Sequence, residues 1–139
     1  MIGRGFLAKA TTFCVPVLLN HAIVAANDKL VSARFFTELF GLAEPEEAGF
    51  FAVVRLDDEM LIQFAEPPGG EISPIHLAFL VDDATFDALI GRIEALGLDH
   101  WADPRRSQAG INHNHGGRGV YFLDPAGNYL EAITRPYTD

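Results

Sequence analysis

The chain has 139 residues, a formal charge of −9, 49% apolar residues and eleven Phe. That length suits one compact unit with a real core, and the composition excludes a disordered chain. The acidic balance and the lack of any basic run exclude a nucleic-acid surface, and no apolar stretch is long enough to span a bilayer.

Residues 1–14 read as an N-terminal extension. Arg4 and Lys9 precede an apolar run, Thr11 to Leu19, that mimics a weak signal sequence; Pro16 interrupts it and no small-residue cleavage site follows. The single Cys14 excludes an intrachain disulfide and suits a reducing cytoplasm, the compartment expected here. Val15 to Ala25 then reads as a strand, and Asn27 and Asp28 offer helix N-caps. Val31, Phe35, Phe36 and Leu39 fall on one helical face, closed by Gly41. Glu44 to Ala48 is a short edge strand or loop, Phe50 to Leu56 a strand, Asp57 to Glu59 a tight turn and Met60 to Ala65 the return strand. Residues 67–73 form the linker.

After the linker the pattern repeats. Pro74 to Val81 is a strand, and Asp82-Asp83 caps a helix with Phe86, Leu89, Ile90, Ile93 and Leu96 on its face, ended by Gly97. Leu98 to Ala102 reads as a short strand, with His100 and Trp101 exposed on it and no chemistry demanded of either, and residues 103–117 as a polar loop. Val120 to Leu123, the turn Asp124-Pro-Ala-Gly127 and Tyr129 to Ile133 make a hairpin whose return strand carries Glu131. Superposing the halves sets His21 on His76 and Gln63 on Glu131. The architecture is therefore α+β: βαβββ modules over 15–66 and 74–137, each with an apolar sheet face that needs a partner. Eight strands in a U-shaped mixed sheet, an incomplete barrel, are expected.

A carboxylate inside a strand is costly to bury without a partner. Two imidazoles and that carboxylate suit a first-row divalent ion with places left for substrate. The Gln63 amide is either a fourth ligand or a hydrogen-bond donor to a neighbouring strand. His113-Asn-His115-Gly-Gly-Arg118 reads as a solvated glycine-hinged loop, or as a lid in which His113 or His115 moves protons and Arg118 meets an anionic substrate. Tyr121 either donates to a metal-bound oxygen or packs.

Leu19-Asn20-His21, Ile75-His76-Leu-Ala-Phe and above all Gly119-Val-Tyr-Phe-Leu-Asp-Pro-Ala-Gly-Asn-Tyr-Leu-Glu131 resemble the vicinal oxygen chelate superfamily, which holds glyoxalases, bleomycin-resistance proteins, fosfomycin-resistance proteins and extradiol dioxygenases. The resemblance covers roughly residues 15–137. It implies a glyoxalase/dioxygenase-like domain over 15–139, metal ligands at His21, His76 and Glu131, an amide ligand at Gln63 as in epimerase-like members, and a homodimer. It also implies a small substrate chelated through vicinal oxygens to one divalent ion, Fe(II) by preference, with Mn, Ni, Co or Zn fitting the same donors. An extradiol-like dioxygenase is the first expectation. A glyoxalase-type lyase or epimerase, an antibiotic-modifying thiol transferase and a non-catalytic drug-binding protein are the alternatives. Gln63, where glyoxalase I carries a carboxylate, argues against glyoxalase activity.

Overall fold

The computed structural model describes residues 17–57 and 59–137; the N-terminal extension and most of the signal-like run lie outside the described residues. Strand β1 (His21–Ala25) leads into helix α1 (Lys29–Phe40), then β2 (Glu46–Ala48), β3 (Phe51–Arg55) and β4 (Leu61–Ala65). The second module runs β5 (His76–Leu80), α2 (Asp83–Ala95), β6 (Gly119–Leu123) and β7 (Tyr129–Ile133). The first sheet has the order β1-β4-β3-β2 and the second β5-β7-β6, so the α+β class holds, with four strands and three rather than four and four.

The first strand is shorter than its sequence suggests: Val17, Leu18 and Leu19 are exposed and unpatterned, and pairing starts at His21. Both helices start where the caps predict. The Asp28 carboxylate accepts from the Leu30 and Val31 amides, and that of Asp82 from Thr85. Gly41 ends α1 at φ 69°, a left-handed position that suits glycine.

Alternation places Val24, Ala52, Val54, Ile62 and Phe64 of one sheet, and Val120, Phe122, Leu130 and Ala132 of the other, on the helix side. There they join Phe36, Leu39, Phe40, Phe86, Leu89 and Ile93 in one cluster that spans both modules. Phe36 is its centre: its ring lies 4.6 Å from Phe40, 5.1 Å from Phe79 and 6.2 Å from Phe64. Two residues expected on the helix faces are instead in solvent, Val31 at the start of α1 and Leu96 past the end of α2. The opposite sheet faces carry His21, Ile23 and Gln63 on one side and His76, Ala78, Glu131 and Tyr121 on the other.

The modules share one register. In the first, β1 runs parallel to β4 with Ile23 opposite Gln63; in the second, β5 runs parallel to β7 with Ala78 opposite Glu131. On the antiparallel side Val53 faces Gln63 and Tyr121 faces Glu131. The expected strand 98–102 is reduced to isolated bridges, Trp101 opposite Tyr121 and Ala109. Pro104 and the Asp103 turn divert the chain before a ladder can grow.

Candidate metal centre

Glu131 sits in the middle of β7 with its side chain 3% exposed, beside a His76 ring that is 48% exposed. His76 Nε2 lies 3.0 Å from Glu131 Oε1. The other carboxylate oxygen accepts from the Tyr137 hydroxyl. Tyr137 OH is in turn 3.4 Å from Tyr121 OH, and the Tyr121 ring is 6.1 Å from that of His76. The hydrogen bond to the Glu131 carboxylate raises the Tyr137 phenol above its ordinary value; burial, then Tyr137 and Glu131, raise that of Tyr121. Both phenols are neutral donors at ordinary pH.

The pair fits a metal. Two ligands about 2.1 Å from one ion at a right angle lie about 3.0 Å apart. That is the separation of the imidazole nitrogen and the carboxylate oxygen, and the Tyr137 hydroxyl orients the carboxylate from its far side as outer-shell donors do.

His21 also has a partner on one ring nitrogen but stands elsewhere. Its Nδ1 is 2.8 Å from Asn20 Oδ1, and the Asn20 amide nitrogen donates to the Glu59 carbonyl at 3.0 Å. An amide oxygen only accepts, so the Nδ1 proton of His21 is the one donated to Asn20. His21 and Gln63 belong to the first sheet, His76 and Glu131 to the second, and the two sheets share no strand. Among the described residues no three His, Cys, Asp or Glu side chains gather around one point. One chain therefore brings His76 and Glu131 together and leaves His21, bonded to Asn20, apart from them.

Arg118, expected to meet an anionic substrate, is committed to helix α2: its guanidinium donates to Asp87 at 2.7 Å and Asp83 at 3.1 Å and lies 4.6 Å from the Phe86 ring centre. Those carboxylates raise its already high pKa. His115 takes a left-handed φ of 57° and stacks on Tyr137 with ring centres 4.2 Å apart, while His113 is exposed in the same loop.

Sequence reasoning missed a cavity of about 170 Å³ lined by His76, Trp101, Pro104, Arg106, Tyr121 and Tyr129. The only advance signal was Asp103-Pro104, a turn pair that pulls Trp101 out of a strand and over the site.

Two βαβββ modules with equivalent histidines and a buried strand carboxylate define a class, and comparison with known proteins agrees. The glutathione transferase FosA of Serratia marcescens is 30% identical over 118 residues, covering 81% of this chain and 77% of that one. The chain belongs to the vicinal oxygen chelate superfamily. Among solved structures, oxidase ChaP-H1 is 50% identical with a TM-score of 0.84, covering 88% of this chain and 99% of its own. Oxidase ChaP-H2 is 46% identical, also at 0.84, covering 90% and 98%. The fosfomycin resistance protein FosX of Mesorhizobium loti, 23% identical at 0.62 over 88% and 94%, shares the fold. No protein-family profile matches the chain. No helix among the described residues is long and apolar enough to cross a membrane.

Proposed function

We propose that this protein is a divalent-metal-dependent oxygenase of the extradiol-like type, acting on a small aromatic molecule through two neighbouring oxygens. The observation that carries the reading is the His76–Glu131 pair, with its carboxylate buried, opening onto a cavity walled by Trp101, Tyr121 and Tyr129. Identity of 50% and 46% to two proteins named as oxidases favours oxidation. Identity of 30% to FosA supports a second reading, thiol transfer to an antibiotic.

His76, Glu131 and His21 are the proposed ligands, with the Gln63 amide as a fourth. Fe(II) is the preferred ion; it supplies Lewis acidity and the one-electron chemistry that couples dioxygen to an electron-rich ring. Tyr121, held neutral, donates its hydroxyl proton in a hydrogen bond to a substrate oxygen. Tyr137 keeps Glu131 turned toward His76 as a positioning residue. His115, stacked on Tyr137, and the exposed His113 of the same loop carry protons to and from solvent.

The working unit is a homodimer in which His21 of one copy completes the His76–Glu131 site of the other. The separation of these residues in one chain supports it, as do the exposed apolar side chains Ile23 and Leu80 on the same strands as the two histidines. Mixing His21→Ala with Glu131→Ala protein should regenerate one intact site per mixed dimer, read as recovered metal uptake; no recovery would place the site within one chain.

The deciding experiment is oxygen uptake by Fe(II)-loaded protein with catechols, beside Glu131→Ala. Consumption lost in the variant supports the oxygenase. Glutathione-dependent loss of fosfomycin without oxygen uptake would move the assignment to thiol transfer. Failure to take up any divalent ion would favour a non-catalytic drug-binding protein.

A further inference from the structure

The loop that replaces the eighth strand is built around one side chain. The Asp103 carboxylate accepts from the Ser107 amide at 2.9 Å, from the Ser107 hydroxyl and from the Gln108 amide at 2.9 Å. These bonds hold the carboxyl below its usual range, so the turn keeps its charge at ordinary pH. The Ala102 amide closes the loop on the Gln108 carbonyl at 2.7 Å. At its centre Arg106 takes a φ of 60°, a left-handed conformation uncommon for a side chain of this size. That backbone lays the guanidinium carbon 5.7 Å from the Trp101 ring centre and 5.6 Å from that of Tyr129, over the cavity beside His76.

Arg106 differs from Arg118 in what surrounds it. Arg118 is neutralised by Asp83 and Asp87, whereas among the described residues no carboxylate pairs with Arg106. In a chain of charge −9 a cation is thus held over a cavity with the Trp101 and Tyr129 rings beside it. Aromatic walls take a flat ring by its face. A guanidinium reaches an anionic substituent through its fixed fork of donors. Apolar cavities of about 150 Å³ hold a single benzene-sized ring, which matches the 170 Å³ found here.

We propose that Arg106, with Trp101 and Tyr129, is a specificity-determining clamp. It takes a planar aromatic substrate that bears an anionic group, carboxylate or phenolate, on the side of the ring away from its chelating oxygens. The clamp rests on the reading of His76 and Glu131 as the chelating end.

Trp101 is the single Trp of the chain, so intrinsic fluorescence reports this cavity directly. The test titrates 3,4-dihydroxybenzoate and catechol into the purified protein with Fe(II) under anaerobic conditions, and follows Trp101 quenching in wild type, Arg106→Ala and Arg106→Lys. The clamp predicts at least tenfold tighter binding of the dihydroxybenzoate. Arg106→Ala should erase that preference while leaving catechol within about twofold, and Arg106→Lys should keep part of it. Arg106 is exposed, so folding is not at stake. An unchanged preference in Arg106→Ala, or no quenching in wild type, overturns the clamp. Arg106-dependent quenching in a protein that never consumes oxygen leaves the clamp standing and removes the oxygenase reading. Oxygen uptake with catechols and an unchanged preference does the reverse.

Discussion

In the first module β2 runs beside β3, with Glu46 opposite Val53; in the second, the equivalent place beside Tyr121 is held by a bridge at Trp101. The rest of the two registers coincides, strand for strand. The duplicated scaffold is thus kept on three strands of each sheet and altered at one edge. At the complete edge the module shows a ladder ending in acidic residues, Glu46 and Glu47. At the altered edge a turn-bound loop forms one wall of an open cavity that His76, the partner of the buried Glu131, also lines. An edge strand can be lost without disturbing the ladder behind it, so the edge is where a repeat can acquire chemistry at small cost to its fold.

The largest effect should come from what the modules share rather than from what separates them. Phe36 touches Phe40, Phe64 and Phe79, so Phe36→Ala removes contacts to both sheets at once. It should cost about 3–5 kcal/mol in urea unfolding, with one transition for the whole chain; two separated transitions would show that the modules fold independently.

The next effect sets the halves against each other. Glu131→Ala should weaken divalent-ion uptake at least roughly a hundredfold, since loss of even an outer-shell partner costs about 10–100-fold. Gln63→Ala, at the equivalent register position, should cost about tenfold or less by isothermal titration. Equal losses would mean that both modules contribute alike.

Alkaline pH should distinguish the second module too. The phenols of Tyr121 and Tyr137 are raised in the folded chain, so their neutral forms are favoured there. The stability they contribute is complete below an unfolded tyrosine's pKa of about 10 and is lost as pH rises through the folded values. The melting temperature should fall above that pH, less steeply in Tyr121→Phe; an identical slope would rule out this coupling.

The smallest effect concerns the matched helix starts. Asp28→Ala removes the cap of Leu30 and Val31 and should cost about 1 kcal/mol by thermal unfolding, as should Asp82→Ala at the Thr85 amide.

The repeat was readable because strand pairing enforces a period of two: once His21 and His76 are matched, the residues two places on must face Gln63 and Glu131. The caps were equally plain, since a cap depends on its own next three residues. Three features were not readable. Arg118 finds its partners on a helix 31 and 35 residues earlier, a distance over which spacing carries no information. Trp101 and Arg106 owe their positions to an irregular loop with a left-handed Arg, which no periodic pattern encodes. Equivalent histidines also say nothing about whether one chain can bring them to one ion, because the two sheets are separate objects joined through helices and core.

The turn inside the stretch that carries the family resemblance also has a structural office. Asn128 is fully buried, and its side chain accepts from the Ile75 amide at 3.1 Å and donates to Asp124 and to the Ala25 carbonyl, each at 3.0 Å. It is a keystone, resting on the end of β1, the start of β5 and its own hairpin at once. The halves are therefore tied by hydrogen bonds and a common core as well as by the peptide bonds of the exposed stretch 68–71. Proteolytic cutting there should leave two fragments that stay clasped, since the seam between them is closed from inside.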